Sequence, residues 1–510
     1  MKARFLSVVG ALALAGCTVG PNYRAPKVAP PAAFGEADPQ QAQASTPDIG
    51  GWWKVYHDPE LERLVQIALA DGLNVKIAAA RIREARAQEA IARSQYFPQV
   101  NGNAGFDYER FSKNSGFASL AQTLGGSGGG ASGGSSGGGG GSGIALPGNS
   151  IKTYSLGFDA SWEIDVFGGV RRQVQGARAR VEAAEWNARD AQVSLVAEVV
   201  DDYLQVRLAQ EREEVARQEV DRQARDLQIM GETAKVGLTP EGDIVRQRAQ
   251  LAQAQAAVGP IVAEGKAEMH ALAVLLAKTP DAMILELSVP RPQLPPPPAV
   301  PPGLPSDLLR RRPDVRAAER NLAASTADIG VAVADLYPRF SLTGMAQLIS
   351  TALGNLFSTN SVQLMGNAAA TFPILDFGQR RGTIDIRKGQ ADEAYYQYQQ
   401  MVLGAFRDVE DALIRIRTEQ QRNIVLQAGV KDAVRAVQAI EARYRSGLVD
   451  LTAVLDAQQS VLTDRDALVQ SNAQLRRDLV SLYKAMGGGW EALPAPADKP
   501  AAQDYQAAKK

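Results

Sequence analysis

Residues 162–171 read Trp-Glu-Ile-Asp-Val-Phe-Gly-Gly-Val-Arg, and residues 372–381 read Phe-Pro-Ile-Leu-Asp-Phe-Gly-Gln-Arg-Arg. Ile, Phe and Gly recur in the two stretches at the same places, 210 residues apart. The same separation relates Val236-Gly237-Leu238 to Ser446-Gly447-Leu448. Solenoid repeats are much shorter, roughly 20–50 residues. The sequence therefore predicts a duplicated half-molecule, with strands, a long helix, a turn and a returning helix in each half.

A second correspondence, with a longer separation of 240 residues, relates Tyr96-Phe97-Pro98-Gln99 to Leu336-Tyr337-Pro338-Arg339. Proline cannot continue a helix, so each copy ends a helix just before a strand. The predicted strands are about 98–111, 153–165, 339–349 and 361–375, the long helices about 171–235 and 378–445, and the returning helices about 241–278 and 451–486. Each strand has about the 9–11 residues with which a tilted strand crosses a membrane. A soluble hairpin packed on a helix is the alternative.

The second long helix carries a seven-residue repeat that is interrupted only at Asn423. Its first set of positions is Tyr395, Val402, Val409, Ile416, Val430, Val437 and Tyr444. The partner positions are Tyr398, Ala405, Ala412, Leu426, Ala433 and Ile440, with Glu419 as the exception. Such a period predicts a helix that packs along a seam and supercoils with a neighbour.

The N-terminus has the pattern of a bacterial lipoprotein signal. Lys2 and Arg4 precede a short apolar run, which ends in Leu-Ala-Gly before Cys17. Cleavage before Cys17, the one cysteine of the chain, would leave its thiol for lipid attachment. A plain secretory signal with an incidental cysteine is the alternative. The next residue, Thr18, is not Asp, and by analogy with lipoprotein sorting this favours the outer membrane.

Composition excludes several classes of function. With 55 basic and 56 acidic residues the net charge is −1, which gives no basic face for nucleic acid. The two histidines and one cysteine provide no metal-ligand cluster, and we find no nucleophile beside a base. We therefore expect neither an enzyme nor a cofactor, apart from the lipid on Cys17. The Gly/Ser-rich stretch 125–143 reads as a flexible loop.

Four strands are too few to close a barrel, for which about eight is the practical minimum. An open sheet edge cannot face lipid. We therefore expect several chains to pool their strands, and three chains would give twelve. The long helices would extend this assembly by about 100 Å at 1.5 Å per residue.

Several stretches of the chain resemble the outer membrane factors, the TolC-like channels of tripartite efflux pumps, and in particular their NodT-type lipoprotein branch. The motifs are Cys17-Thr18-Val19-Gly20-Pro21-Asn22-Tyr23, Trp52-Trp53, Asp58-Pro59-Glu60-Leu61, residues 78–87, residues 311–319, Tyr444-Arg445-Ser446-Gly447-Leu448 and Leu455-Asp456-Ala457-Gln458. Each motif is short, but their order and spacing cover almost the whole mature chain.

The resemblance implies a mixed α and β membrane protein: a homotrimer with a twelve-stranded β-barrel, a long α-helical barrel and an equatorial domain. The domains expected on this basis are a signal peptide at 1–16, a lipid-anchored tether and equatorial segment at 17–60, a first repeat at 61–279, a Pro-rich connector at 280–305, a second repeat at 306–486 and a flexible tail at 487–510. The expected location is the bacterial outer membrane, extending into the periplasm.

The resemblance also implies a periplasmic gate near the second turn, formed by Arg443, Tyr444, Asp450 and Asp456. Ordinary solvated charges at helix ends are the alternative for Arg443, Asp450 and Asp456. The tips that would contact a periplasmic adaptor are Val236, Gly237, Leu238 and Thr239 in the first turn and Gly447, Leu448 and Val449 in the second. Simple helix-terminating turns are the alternative for these tips.

The implied function is a passive exit duct for small toxic compounds, delivered by an RND-type inner-membrane transporter and its adaptor. The alternatives are the outer membrane duct of type I protein secretion and a non-conducting periplasmic coiled-coil scaffold. The sequence does not identify the transported compound.

Overall fold

The computed structural model describes residues 18–27, 29–37, 50–110, 150–237, 239–289 and 305–490, the side chains of 150, 305, 306 and 309 excepted. The predicted signal peptide, Cys17, the Gly/Ser-rich stretch 125–143 and Leu238 lie outside the described residues. So do residues 290–304 of the predicted connector and 491–510 of the predicted tail.

The helices are α1 (Pro59–Asp71), α2 (Leu73–Ser94), α3 (Gly169–Lys235), α4 (Glu241–Leu275), α5 (Ile284–Leu287), α6 (Pro305–Arg311), α7 (Pro313–Ala334), α8 (Gln379–Arg445) and α9 (Leu451–Ala485). The strands are β1 (Gln99–Arg110), β2 (Ser150–Ile164), β3 (Arg339–Ser350) and β4 (Val362–Thr371). Short 3-10 helices occur at Trp52–Tyr56, Pro280–Met283, Leu353–Asn355 and Thr359–Ser361. The predicted strands and long helices are confirmed, apart from their ends.

The duplication is reproduced in the bounds of the elements. Helices α3 and α8 both have 67 residues and α4 and α9 both have 35, and each pair is related by the shorter of the two sequence separations. Helices α2 and α7, and strands β1 and β3, are pairs of equal length related by the longer separation. Strand β4 is the exception, since it stops at Thr371 instead of the predicted 375. Thr371 lies opposite Arg339, the first residue of β3, so the ladder between these two strands ends there.

By their contacts the residues fall into two compact units, and each unit draws on both halves of the sequence. The first lies within Met1–Asn22, Glu89–Gln175 and Ala327–Lys388, and the second within Tyr23–Gln88, Gly176–Thr326 and Gly389–Lys510.

The first unit contains an antiparallel sheet in the order β1-β2-β3-β4. Gln99 lies opposite Ser161 in the β1–β2 pair, and Arg339 lies opposite Thr371 in the β3–β4 pair. The two pairs are equivalent in the internal repeat, because Arg339 follows Gln99 by 240 residues and Thr371 follows Ser161 by 210. Strands β1 and β4 form the edges, and side chains on both faces of β1 are exposed. The residues after Cys17 lie in this unit, where the Val19 N–H donates to the Phe167 carbonyl at 3.2 Å.

The second unit holds the main hydrophobic core. Its members include Tyr56, Leu61, Val199, Tyr203, Leu272, Met283, Val402, Val409 and Leu482. Burial of each such side chain contributes about 1.5–3 kcal/mol. The predicted seam of α8 is buried from Tyr398 to Ala412, and it is half-buried from Leu426 to Tyr444. Asn423, at the interruption, is also buried.

Within the described ranges, no helix combines the length and the apolar character needed to cross a membrane.

Candidate functional site

The second turn, between α8 and α9, is a Schellman motif. The Leu448 N–H donates to the Arg443 carbonyl and the Gly447 N–H to the Tyr444 carbonyl, both at 2.9 Å. Gly447 has φ 70°, a left-handed conformation that favours glycine because it has no Cβ. Asp450 then caps α9, and its Oδ1 accepts a bond from the Ala453 N–H at 3.1 Å.

The first turn, between α3 and α4, also contains a left-handed glycine. Gly237 has φ 76°, and its N–H donates to the Ala234 carbonyl at 2.9 Å. The Thr239 and Thr233 hydroxyls lie 2.5 Å apart. Pro240 precedes α4, where no side chain caps the first turn. Among the predicted tip residues, Val236 and Leu448 are exposed, as suits contact with a partner.

A small apolar cluster joins the two turns, and its side chains come from helices α3, α8 and α9. Met230 of α3 packs with Leu451 and Leu455 of α9, and Tyr444 of α8 covers them. Burial raises the pKa of the Tyr444 phenol, and the carboxylate of Asp243 at the start of α4 adds to this rise. Tyr444 is therefore a neutral, half-buried side chain that connects the ends of the two hairpins.

The structure does not bring all four predicted gate residues together. Arg443 and Asp456 are exposed, and neither forms an ion pair with another residue of the described chain. Asp450 is occupied as a helix cap, so one of its oxygens already has a structural role. Only Tyr444 lies in the contact between hairpins.

Sequence reasoning missed a polar contact beside this cluster. Arg246 Nη1 of α4 donates to Thr452 Oγ1 of α9 at 2.6 Å. The two residues are 206 positions apart and lie on exposed faces of different hairpins. No local pattern identifies such a pair, because each residue alone is an ordinary surface residue near a helix end.

A second missed feature lies further along the same helices. A half-open cavity of about 260 Å³ is lined by α3, α8 and α9, with polar and charged side chains beside apolar ones such as Val215, Val437 and Leu462. Gln458 lines it and donates to Glu441 Oε1 at 3.2 Å, while its own Oε1 is buried without a partner in the described chain.

The contacts between the hairpin ends are thus one small apolar cluster and a hydrogen bond. Within the described residues no group of three or more His, Cys, Asp or Glu side chains could hold a metal ion. The arrangement can therefore fix or release the ends of two helical hairpins.

Comparisons with known proteins give one consistent result. The family model described as "Outer membrane efflux protein" matches residues 64–260 and 304–488, one stretch in each half. The antibiotic efflux pump outer membrane protein ArpC of Pseudomonas putida is 30% identical over 491 residues, which cover 94% of each chain. Outer membrane protein OprJ of Pseudomonas aeruginosa is 31% identical, covering 94% of this chain and 95% of its own.

Solved structures agree with the sequence relatives. The outer-membrane channel OprN is similar with a TM-score of 0.80 and 34% identity, covering 93% of this chain and 100% of its own. The CmeC outer membrane channel of Campylobacter jejuni has a TM-score of 0.80 over 97% of this chain and 98% of its own. At 22% identity, CmeC shows the shared fold alone.

Proposed function

The chain belongs to the outer membrane efflux protein family, and on that premise we propose that it is the passive exit duct of a tripartite efflux pump. The observation that carries the proposal is the match to the OprN channel over its full length, strands and both hairpins included. The remaining parts of the pump would be a periplasmic adaptor and an RND-type inner-membrane transporter.

The duct would be a homotrimer. The four-stranded sheet of one chain leaves β1 and β4 as edges, and an open edge is not tolerated in lipid. Four strands are also below the roughly eight that a barrel needs. Three chains would supply a twelve-stranded barrel, and their long helices an α-helical barrel on the periplasmic side.

The cargo would be a class of small compounds. The relatives carry different names: one is an antibiotic efflux protein, one a pyoverdine export protein and one a toluene efflux protein. Cargoes as different as toluene and pyoverdine are therefore compatible with the family, and the partner pump would make the choice.

The gate would be the contact between hairpins at the turns. Tyr444 with its apolar neighbours and the Arg246–Thr452 hydrogen bond hold the ends of α3, α4, α8 and α9 together. Arg443, Asp450 and Asp456 would act between copies near the axis. An adaptor that binds the exposed tips Val236, Gly237, Leu238, Thr239, Gly447, Leu448 and Val449 would open the gate if it binds the open arrangement better than the closed one.

Cys17 would carry the lipid anchor. The adjoining Thr18 packs against Gly168 in the short link between β2 and α3, so close that a Cβ on this glycine would lie 3.0 Å from the Thr18 Cα. The neighbour of Cys17 therefore lies at the end of the sheet, which supports an anchor at that level. Labelling with radioactive palmitate should mark the chain and should fail with Cys17→Ser.

Single-channel conductance in planar bilayers tests the proposal. The unaltered chain should conduct weakly, and Tyr444→Ala combined with Arg246→Ala should conduct much more. Arg248→Ala is the matched control, because Arg248 is an exposed residue of α4 with no ion pair among the described side chains. A chain that conducts in none of these forms would be a scaffold.

A deletion strain distinguishes the remaining alternative. It should become more susceptible to small toxic compounds and should regain resistance with the unaltered chain. Loss of a secreted protein without a change in susceptibility would instead indicate a type I secretion duct.

A further inference from the structure

The two copies of the Phe-Gly motif, at 162–171 and 372–381, have different surroundings. In the first copy Phe167 stacks on Tyr337, with ring centroids 4.7 Å apart, and Trp162 Nε1 donates to the Tyr96 carbonyl at 3.0 Å. In the second copy the equivalent Phe377 is 92% exposed, and Ile374 is 93% exposed. Leu375 and Phe372 are exposed beside them. The first copy is thus partly covered by its own chain, and the second is an exposed apolar surface.

The internal repeat indicates what covers the second copy. The first copy lies at the joint between β2 and β3, where Ile164 is opposite Phe340. The β1–β2 and β3–β4 hairpins have equivalent registers. A joint between β4 and the β1 of another copy would therefore repeat the β2–β3 joint.

The separations in sequence then identify the partners. Each residue of β2 has its equivalent in or beside β4, 210 positions later in the sequence. Each residue of β3 has its equivalent in β1, 240 positions earlier. The pair Ile164–Phe340 becomes Ile374–Val100, and the pair Phe167–Tyr337 becomes Phe377–Phe97. Both Val100 and Phe97 are exposed large apolar residues, and Phe97 is 69% exposed.

We infer that the segment 372–377 docks on a second copy of this chain, with Ile374 opposite Val100 and the Phe377 ring on Phe97. This inference rests on the proposed assembly of copies, and it adds a residue register and an aromatic contact. The same pairs cannot form within one chain. Strands β1 and β4 are the opposite edges of the sheet, with β2 and β3 between them, and each neighbouring pair of strands is about 4.8 Å apart.

The two motif copies differ in one detail that bears on the docking. Asp165 accepts bonds from the N–H groups of Val170 and Arg171. Its counterpart Asp376 stands one place later and accepts bonds from Gly378 and Arg380. Phe377 has φ 51°, a left-handed conformation that is unfavourable for a bulky residue and that Phe167 does not share. The Phe377 ring is exposed in one copy, and contact with Phe97 of another copy would bury it and compensate for the unfavourable backbone conformation.

Disulfide formation tests the register. Residues directly opposite across antiparallel strands have Cβ atoms about 4.5–5.5 Å apart, close enough for a disulfide after small shifts. The double variant Val100→Cys, Ile374→Cys should form covalent dimers and trimers on mild oxidation. Val100→Cys with Phe372→Cys, shifted by two residues, is the matched control and should remain mostly uncrosslinked. The unaltered chain, with Cys17 alone, sets the background.

The outcome separates this inference from the proposed function. If native mass measurement finds three copies but the shifted pair crosslinks better, the register is wrong while the assembly stands. If only one copy is found, both fail. Two single-cysteine chains with different tags, one carrying each thiol, should crosslink to each other when expressed together.

Aromatic substitutions test the ring contact independently of the disulfide. Phe377→Ala should make the assembly dissociate at a lower temperature in detergent, and Phe377→Trp should restore it. Phe357→Ala is the control, since Phe357 is 75% exposed in the loop between β3 and β4. In the assembled protein, the thiol of Phe377→Cys should react with a water-soluble maleimide much more slowly than the thiol of Phe357→Cys. If the two thiols react equally fast, the ring does not lie on Phe97.

Discussion

The two helical hairpins have the same backbone plan and different packing. Helices α3 and α4 match α8 and α9 in length, and each pair turns at a left-handed glycine. The returning helix α9 buries fourteen residues and α4 only five. Equal lengths and turns therefore do not imply equal environments. The side chains determine that α9 is packed against the rest of the chain and that α4 keeps an exposed face.

Polar contacts explain how α9 is held. Arg477 of α9 pairs with Asp201 of α3 at 2.7 Å, and Asp466 of α9 pairs with Arg212 at 2.9 Å. Helix α4 contains Pro260, which removes one backbone donor from the helix ladder, and it has no equivalent of these contacts with α8 among the described residues. The first hairpin is thus the one whose returning helix is available to a neighbour.

The largest expected effect concerns a residue present in the second half only. Arg312 pairs with Asp314, donates to Asp408 of α8 at 3.1 Å and to the Ala485 carbonyl of α9 at 3.2 Å. The position that the longer separation relates to it is Gly72. Arg312→Ala should lower the free energy of unfolding by about 3–5 kcal/mol, because it leaves the partly buried Asp314 carboxylate without its cationic partner, while Asp408 keeps only the exposed Arg407. Denaturant unfolding followed by circular dichroism measures this.

Arg310→Ala is the control for that measurement. The Arg310 side chain is 73% exposed, against 11% for Arg312, and its pair with Asp307 is at the surface. Its loss should cost less than about 1 kcal/mol. Equal effects of the two substitutions would mean that the contacts of Arg312 do not distinguish the second hairpin.

The next effect concerns the buried polar layer of the second hairpin. Asn423 Nδ2 donates to Ser471 Oγ at 3.0 Å and to Asn472 Oδ1 at 2.8 Å. Asn423→Val should cost about 1–3 kcal/mol, since the fully buried Ser471 hydroxyl loses its partner. Adding Ser471→Ala should recover much of this loss. A double variant less stable than the single one would show that the layer is not a coupled pair.

The turns should respond alike in both hairpins, because the backbone plan is what they share. Gly237→Ala and Gly447→Ala should each cost about 1–2 kcal/mol, the penalty of a left-handed residue with a Cβ. No atom lies within 4 Å of the added Cβ at either glycine, so sterics with neighbours do not contribute. Thermal unfolding of the two variants measures both losses of stability. A twofold difference between them would show that the two turns are not equivalent.

The sequence predicts the backbone plan well because the plan depends on local signals. Glycine at the turns, proline after helices and the seven-residue seam of α8 each determine a neighbouring conformation directly. The separation of 210 residues then predicts the position of α4 from that of α9. The bounds of the paired helices agree to the residue.

The candidate site is less predictable because it depends on contacts between distant residues. A family motif identifies Tyr444, while Arg246 and Thr452 carry no signal of their own. The gate role predicted for Asp450 stays a proposal beside its observed role as a cap. The two copies of the Phe-Gly motif share Ile, Phe and Gly at the same places, and these shared residues do not indicate which copy is exposed.

The smallest expected effect is a pH dependence that comes from Asp202 in the first hairpin. Burial raises the pKa of Asp202 in α3 from its ordinary 3.8 to about 7, and Glu268, Asp201 and Glu198 add to the rise while Arg477 opposes it. The equivalent position in α8 is Ala412, in the buried seam. Between about pH 4 and pH 7 the folded chain holds a proton that the unfolded chain has lost. Stability should therefore fall as the pH rises through this window.

Asp202→Asn tests this dependence, since the amide has the shape of the protonated acid and no titration. The variant should be more stable than the unaltered chain at pH 8 and equal to it near pH 4, with a difference of about 1 kcal/mol or less because Asp202 is only half-buried. Unfolding curves of both chains at several pH values measure the difference. Asp456→Asn, at an exposed position of α9, should leave the slope unchanged, and a matching change there would place the pH dependence outside the first hairpin.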